Sequence, residues 1–335
     1  MKIDCRLGTL EHAADRAPEL EAAGYDAAWS LEVDHDPFLP LAVAAGVTTR
    51  IELGTSIAVA FARSPMAMAY TANDLQAYTR GRLLLGLGSQ VKAHVTRRFS
   101  MPWAHPAAQM REFILAMRAI WSCWQDGTPL DFVGEYYRHT LMTPYFVPPQ
   151  HEFGSPRVIL AGVGEHMTRV AGEVADGLLC HPFTTEKWIR ERTLPAVEAG
   201  RRLRGATAEA FEVICSPFIV TGSDEEIEAG VATVRDQIAF YGSTPSYRAV
   251  LDLHGWGALG EELTKLAKAG RWPEMGALID DDVLGEFAIV ATPPKLPAVV
   301  GDRLGGAVTR MSFAPPASLS ADERVELLDA LRRSC

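Results

Sequence analysis

Short apolar runs alternate with amphipathic segments along nearly the whole chain. The first run, residues 3–7, precedes a helix predicted over residues 10–23, which Gly24 ends as a C-cap. Seven more runs predict strands at residues 25–31, 51–59, 82–87, 158–161, 178–181, 212–220 and 308–313. Eight strands that alternate with helices favour an α/β fold, a parallel (β/α)8 TIM barrel, over an open doubly wound sheet.

Several predicted helices carry clear signals at their ends or on one face. Helices are predicted near residues 39–47, 66–78 and 167–175. The clearest helix follows the fourth strand, and its apolar residues fall on one face: Met110, Phe113, Ile114, Met117, Trp121 and Trp124. Capping boxes start the helices after the seventh and eighth strands: Ser223 with Glu226, and Ser320 with Glu323.

Two stretches interrupt the alternation of strands and helices. Residues 126–155 are rich in proline and aromatic side chains, and residues 246–288 contain a short helix predicted over 261–268. Insertions of this size on the ligand-binding face of a barrel often act as lids. A chain of 335 residues fits either one barrel or two average domains, and the lack of a linker sequence favours a single domain over residues 1–335.

Composition and charge indicate which binding partners and which cellular compartment to expect. The chain is 48% hydrophobic, with a net charge of −10 and a pI of about 5.4, so nucleic acid and anionic membranes are not expected as partners. No apolar run approaches the roughly 20 residues of a membrane helix, and no signal peptide precedes the first strand, so a cytoplasmic protein is predicted. The cysteines stand singly, which indicates reduced thiols: Cys5, Cys123, Cys180, Cys215 and Cys335.

Glycines follow two of the predicted strands at their carboxyl ends. The fourth strand runs into Gly86-Leu87-Gly88-Ser89-Gln90, and the fifth into Ala161-Gly162-Val163-Gly164 with a helix behind it. Met167 stands at the third glycine position of a G-x-G-x-x-G motif and no P-loop is present, so neither fingerprint is complete. A glycine turn before a helix still offers free N–H groups to an anion or a phosphate. The alternative is a tight turn that needs glycine only for its shape.

An acidic segment with one histidine follows the second predicted strand: Glu32-Val33-Asp34-His35-Asp36. Alternation places the three carboxylates on one side and His35 on the other. A histidine beside carboxylates is a candidate for proton transfer, because a neighbouring negative charge favours the protonated ring. A metal site and a solvated surface loop are the alternatives. No second cluster in the sequence has ligand spacing, so no metal is predicted.

Together with Gly54-Thr55-Ser56-Ile57, the order and spacing of these motifs resemble the luciferase-like monooxygenase superfamily. The closest resemblance is to its actinobacterial oxidoreductases that use the deazaflavin coenzyme F420, and it spans nearly the whole chain. It implies a cis peptide bond between Ser56 and Ile57 that supports the ring of the cofactor. It also implies that two loops hold the phosphate and the ring system: Gly88, Ser89 and Gln90, then Ala161, Gly162, Val163 and Gly164, with Thr168 as a further hydroxyl donor.

The resemblance also suggests which residues face the substrate. His35 matches the histidine near the deazaflavin in the dehydrogenase members, which makes it the predicted catalytic residue. Glu32 is a predicted substrate contact, and so are Trp103 and Trp256, because these two tryptophans lie in predicted loops. Sugar-phosphate dehydrogenases of this group carry a glutamate shortly after the fourth-strand glycines, whereas this chain has Ser89-Gln90-Val91-Lys92-Ala93-His94. The acid is therefore absent, supplied by another element, or unnecessary because the substrate differs.

The sequence thus predicts a coenzyme F420-dependent oxidoreductase that transfers a hydride to or from a small organic substrate. Relatives are often dimers, so a homodimer is expected. An FMN-dependent two-component monooxygenase of the same superfamily is the first alternative, and a non-catalytic flavin- or deazaflavin-binding protein is the second. A Schiff-base lyase is disfavoured, because no predicted barrel strand contains a lysine.

Overall fold

Eight parallel strands close into a barrel in the computed structural model, which describes residues 1–205 and 210–334 and so leaves Cys335 outside the described residues. The barrel strands, labelled β1–β8, are Lys2–Arg6, Ala27–Ser30, Glu52–Thr55, Leu83–Gly88, Arg157–Gly162, Gly177–Cys180, Glu212–Cys215 and Arg310–Ser312. Each strand pairs in parallel with the next, and β8 pairs with β1 to close the ring. The predicted (β/α)8 barrel is confirmed.

Within those described residues, eight helices surround the barrel. Labelled α1–α8, they are Ala13–Ala22, Leu39–Val47, Pro65–Tyr78, Pro106–Asp126, Glu165–Val174, Leu194–Arg204, Leu296–Leu304 and Ala321–Arg333. Shorter helical segments occur in the connections: Leu10–His12, Ala60–Ala62, His94–Arg98, Pro144–Phe146, Glu186–Trp188, Ile189–Thr193, Pro245–Tyr247, Trp272–Glu274 and Gly276–Leu278. Apolar residues of the eight helices pack on the outer side chains of the strands and form the main core.

Two apolar runs of the sequence each form two separate strands. The run at 51–59 gives β3 and the short strand Ala58–Val59, with a turn between them. The run at 212–220 gives β7 and Phe218–Val220, which leaves the barrel and pairs with Ala288–Val290. Pro217 separates these two strands, because proline has no N–H to donate to a strand ladder.

A second apolar core belongs to an accessory unit inserted between β7 and α7. Besides the sheet of Phe218–Val220 and Ala288–Val290, the unit contains four helices: Asp224–Gly242, Arg248–Leu253, Gly257–Lys268 and Asp281–Phe287. The sequence analysis assigned the helix that Ser223 starts to the barrel, but its buried residues lie in this second core and α7 takes its place. A capping box determines where a helix begins and not which core it packs against. The insertion therefore begins near residue 218 instead of 246.

The first insertion, residues 126–155, carries a short antiparallel hairpin of Phe132–Val133 and Arg138–His139. The buried carboxylate of Glu112 on α4 holds the hairpin turn, because it accepts N–H groups of Glu135, Tyr136 and Tyr137 at 2.9, 2.7 and 2.5 Å. A Cβ at Gly134 would lie 2.2 Å from that carboxylate, so a larger residue there would displace Glu112 from the turn. The insertion is therefore anchored to a barrel helix.

A charged network fills the amino-terminal end of the barrel. Arg310 of β8 is fully buried and donates two hydrogen bonds of 2.9 Å to Asp4 of β1, while its Nη1 lies 2.6 Å from Glu52 and 3.1 Å from Glu212. Burial alone would lower the pKa of Arg310, but the hydrogen bonds and charge of Asp4 outweigh it and raise that pKa. Two further cations complete the network: Lys2 and Arg157.

One detail of this network corrects the sequence analysis. β1 begins at Lys2, so a barrel strand does contain a lysine, which the sequence analysis had placed outside the strand. The Nζ of Lys2 lies 3.0 Å from Glu212, at the end of the barrel opposite the carboxyl ends of the strands. Ligands bind at the carboxyl ends in this fold, so Lys2 is badly placed for a Schiff base.

Stability is expected to fall in acid because of Glu52. Burial alone would raise the pKa of Glu52, but the positive charges of Arg310 and Arg157 outweigh burial and hold it below its ordinary value of 4.5. A depressed folded-state pKa adds stability above that value and loses it as pH falls through the folded-state pKa. Urea unfolding should show a smaller loss of stability below pH 4.5 for Glu52→Gln than for the wild type. Equal losses in the two proteins would contradict the prediction.

Candidate active site

The carboxyl ends of β3, β4 and β5 bring the predicted cofactor residues side by side. Val59, just beyond β3, is in register with Gly88, and Leu87 of β4 is in register with Leu160 of β5. The turns that carry Ser56–Ile57, Ser89–Gln90 and 163–164 therefore leave the barrel next to one another. This is the face on which barrels of this kind bind their ligands.

The turn after β3 packs directly on β4. The peptide bond between Ser56 and Ile57 is cis, as the resemblance implied, and the Ser56 N–H donates a 2.7 Å hydrogen bond to the carbonyl of Ser30. A Cβ at Gly88 would lie 2.9 Å from Ile57 side-chain carbons, and a Cβ at Gly86 would lie 1.7 Å from the carbonyl oxygen of Thr55. Gly86 is thus required by close packing against the backbone, and a side chain at Gly88 would have to displace that of Ile57.

The turn after β5 has a different character, because it is open. Gly164 is the N-cap of α5 and provides no side-chain cap, and a Cβ there would meet no atom within 4 Å. The first N–H that bonds back to the turn is that of Thr168, to the Gly164 carbonyl at 3.1 Å. The preceding N–H groups of the first turn remain for a ligand, and the helix dipole favours an anion there.

Thr168 and Gln90 make contacts that support the two turns. Thr168 is buried, and its Oγ1 lies 3.3 Å from the position of a Cβ on Gly162. Gln90 has a left-handed backbone with φ of 60°, and its Oε1 accepts the N–H of Val91 at 3.0 Å. The Ser89 hydroxyl donates to the Gln90 carbonyl at 3.1 Å. Ser89 and Gln90 therefore stabilise the turn after β4 by hydrogen bonds within that turn.

His35 lies in the loop after β2 with its tautomer set by the backbone. Its Nδ1 is 3.0 Å from the carbonyl oxygen of Asp36, which only accepts hydrogen bonds, so Nδ1 carries the proton in the neutral ring. Nε2 is then the basic nitrogen, and it lies 4.0 Å from an oxygen of Asp34. The side chain is 24% exposed, so a substrate can reach it. The ring is suited to accept or return a proton at Nε2.

Glu32 and Asp36 fix the loop that carries His35. The Glu32 carboxylate is only 7% exposed, accepts the Val59 N–H at 2.7 Å and binds Arg63 at 2.7 Å. Asp36 binds the other side of Arg63 at 3.2 Å and accepts the N–H of Phe38 at 2.8 Å, at the start of α2. The sequence analysis proposed Glu32 as a substrate contact, and its carboxylate is occupied by these partners. The geometry favours a positioning role for Glu32.

The two predicted substrate tryptophans lie in separate apolar clusters. Trp103 packs edge-on against Phe61 at 5.8 Å, beside a cleft of about 380 Å³ between the first insertion and the loop after β3. Trp256 stacks on His254 at 4.7 Å in the accessory unit. His254 in turn lies 2.8 Å from the hydroxyl of Thr185, in the connection after β6. Trp103 therefore belongs to the β3–β4 side of the barrel and Trp256 to the β6 side.

The sequence analysis missed His181, which follows β6 directly. Its Nδ1 accepts the N–H of Phe183 at 3.0 Å, and its ring packs against Tyr247 at 4.4 Å and Tyr241 at 4.8 Å. Burial lowers the pKa of His181 to about 4. Strand alternation is the signal that would have found it, because Leu179 points into the barrel and residue 181 shares its side.

The described residues hold neither a cluster of metal ligands nor a membrane-spanning helix. Within 1–205 and 210–334, no three side chains of His, Cys, Asp or Glu are grouped closely enough to hold a metal ion. No helix in the same ranges combines the length and the apolar character that crossing a bilayer requires.

Comparison with known proteins gives a consistent result. Residues 5–300 match the family of luciferase-like monooxygenases. An uncharacterized protein of Mycobacterium tuberculosis is 52% identical over 313 residues, which cover 93% of this chain and 92% of that protein. An F420-dependent glucose-6-phosphate dehydrogenase of Nocardia farcinica is 28% identical over 232 residues, 67% of this chain and 66% of that protein. The structure of the coenzyme F420-dependent tetrahydromethanopterin reductase of Methanopyrus kandleri has the same fold, with a TM-score of 0.76, 19% identity and coverage of 98% and 96%. The chain belongs to the luciferase-like monooxygenase family.

Proposed function

We propose that the protein is a coenzyme F420-dependent oxidoreductase that transfers a hydride between the deazaflavin and a small organic substrate. Its family makes it an oxidoreductase. The observation that carries the choice of cofactor site is the open N-terminus of α5 at Gly164, next to the close-packed glycines of β4. Relatives named for F420, including the Nocardia farcinica dehydrogenase, support the deazaflavin as the cofactor.

The residues at the barrel mouth fit such a cofactor. The N–H groups of the first turn of α5 would bind its phosphate, and the turns at Ser56–Ile57 and Gly88–Gln90 would support its ring. The bound coenzyme would supply the hydride chemistry that no protein side chain provides. His35 would move the accompanying proton at Nε2, and Glu32, Arg63 and Asp36 would keep its loop in place.

The first alternative is an FMN-dependent monooxygenase, which the family name itself favours. FMN also carries a phosphate, so the open end of α5 suits both cofactors. Titration of the purified protein with F420 and separately with FMN, followed by tryptophan fluorescence, distinguishes them. Micromolar or tighter binding of F420 with weak binding of FMN is the expected result. Tighter binding of FMN would transfer the assignment to the monooxygenase, and binding of neither would overturn both.

A matched pair of variants tests the phosphate site at α5. Gly164→Asp and Gly164→Asn both introduce good N-cap residues into open space at a backbone with φ of −80°, so both should fold normally. Only the aspartate adds a negative charge beside the phosphate, and F420 should bind it about tenfold more weakly than Gly164→Asn at low salt. The difference should shrink at high salt. Equal affinities for the two variants would place the phosphate elsewhere.

A further inference from the structure

His181 is a hydrogen-bond donor with a fixed tautomer. A backbone N–H only donates, so the 3.0 Å contact from Phe183 makes Nδ1 of His181 an acceptor. The proton of the neutral ring must then sit on Nε2. In the described part of the chain, no partner lies within hydrogen-bonding distance of Nε2, and this atom is not sealed from solvent. His35 has the opposite tautomer, because its Nδ1 faces a carbonyl oxygen.

The surroundings of His181 are aromatic. Tyr247 lies against the ring with an interplanar angle of 31°, and Tyr241 meets it edge-on at 89°. Both tyrosines come from the accessory unit, so this unit covers the carboxyl end of β6. No carboxylate or cation is paired with His181 in residues 1–205 and 210–334, and burial keeps the ring neutral by lowering its pKa to about 4. An aromatic site of this kind suits an uncharged ligand with an acceptor oxygen.

His181 also stands next to the proposed cofactor turn. Gly162 at the end of β5 is in register with Cys180 at the end of β6, so the next residues, Val163 and His181, leave the barrel side by side. Ala161 and Leu179 share the inner face of the barrel, and alternation puts His181 on that face as well. A donor at this place points toward the space above the barrel axis.

We propose that His181, with Tyr241 and Tyr247, forms the substrate subsite of this enzyme and donates an Nε2–H hydrogen bond to the oxygen of an uncharged carbonyl compound or of the corresponding alcohol. This assignment rests on the proposed hydride transfer. It names a substrate class, ketones or aldehydes with an apolar body, in place of the sugar phosphates for which some relatives are named. The rings of the two tyrosines contact the apolar body of the substrate.

The protons and electrons of the step balance with two histidines in different roles. When the carbonyl carbon gains a hydride, the C=O π pair moves to oxygen, and the hydrogen bond from His181 stabilises the charge that develops there. His181 does not give up its proton, because an imidazolate would result; neutral imidazoles act as hydrogen-bond donors in this way. The proton that completes the alcohol comes from water, or from Nε2 of His35 when both ring nitrogens of His35 carry a proton, which leaves the neutral Nδ1–H tautomer. Alcohol oxidation reverses each transfer.

The first test is NMR of the coenzyme-free protein with 15N-labelled histidine. The His181 ring should show its proton on Nε2 and should titrate well below pH 6. A proton on Nδ1, or a charged ring at neutral pH, overturns the proposal. A wrong tautomer or charge of His181 would leave the proposed function standing, because the F420 titration tests that function separately and F420 is absent from the NMR experiment.

The second test measures binding of two probes with the same ring, cyclohexanone and cyclohexanecarboxylate, by saturation-transfer NMR with and without F420. The wild type should bind the ketone at least about tenfold more tightly than the anion. His181→Phe should lose about tenfold in ketone affinity, and His181→Asn, which keeps a neutral N–H donor, should lose less. Tyr78→Phe, at an exposed tyrosine of α3, is the control and should match the wild type. Tighter binding of the anion, no ketone binding in either state, or unchanged affinity in His181→Phe overturns the proposal.

Discussion

His35→Ala is expected to lower turnover by a factor of about 10² to 10⁴, with the affinity for F420 changed less than threefold. The backbone carbonyl of Asp36 fixes the ring so that Nε2 is the nitrogen that gains or loses the proton. Alanine removes that atom and leaves the cofactor turns after β3, β4 and β5 intact. Steady-state kinetics of F420-dependent reduction of a carbonyl compound, together with F420 titration, provide the two measurements.

Two experiments distinguish proton transfer by His35 from mere support of its loop: chemical rescue of His35→Ala and a control variant. Free imidazole should restore part of the turnover of His35→Ala, because a small base can occupy the vacated space; a variant with a merely misfolded loop would not respond. His12→Ala removes an exposed histidine and should behave as the wild type. Wild-type turnover in His35→Ala, or a parallel loss of turnover and F420 affinity, would remove His35 from its proposed role.

Arg310→Met is expected to lower the free energy of unfolding by about 3–5 kcal/mol. Arg310 is fully buried and donates two hydrogen bonds to the carboxylate of Asp4, which is also fully buried and accepts a third from the indole N–H of Trp29. Methionine has a similar length but leaves that carboxylate without its cation, and Glu52 and Glu212 lose the same partner. Urea unfolding at neutral pH, followed by circular dichroism, measures the shift of the midpoint.

A double-mutant cycle separates the unpaired charge from lost packing. Asp4→Asn in the Arg310→Met background removes the uncompensated charge, so the double variant should be more stable than Arg310→Met alone. The exposed pair of Arg271 and Glu274 is the matched control, with side chains 56% and 53% exposed. Arg271→Met should change stability by less than about 1 kcal/mol. If both arginine variants lost the same small amount, the barrel network would not be a source of stability.

Much of the secondary structure follows from signals that act over a few residues. α2 has the predicted bounds, Leu39–Val47, and the capping boxes at Ser223 and Ser320 both form. A cap depends on atoms within one turn, so the sequence is sufficient to place it. The assignment of the Ser223 helix to the barrel was wrong because the residues that this helix packs against are distant in sequence. β7 ends at Cys215, earlier than predicted, because Pro217 interrupts the apolar run.

The candidate site also contains residues that the sequence singles out and one residue that only the fold brings into play. The glycines after β4 and β5 and the histidine of the acidic loop were visible in the sequence, because residue type and strand position alone single them out. His181 was included in an apolar run, and nothing near it in the chain marked it. Its significance depends on Tyr241 and Tyr247, which reach it only because the accessory unit folds over β6.

The amino-acid sequence by itself determined the order of strands and helices, the glycine turns and the loop that carries His35, since these depend on local hydrogen bonds and hydrophobic periodicity. Tertiary structure alone decided the role of Glu32, whose carboxylate binds Arg63 at a separation of 31 residues in the chain. It also decided the pairing of Asp4 with Arg310, which are 306 residues apart. The tautomers of His35 and His181, by contrast, are set by backbone groups one and two residues away along the chain. The charge state of a buried group depends on which atoms burial brings together, and closure of the barrel sets those neighbours.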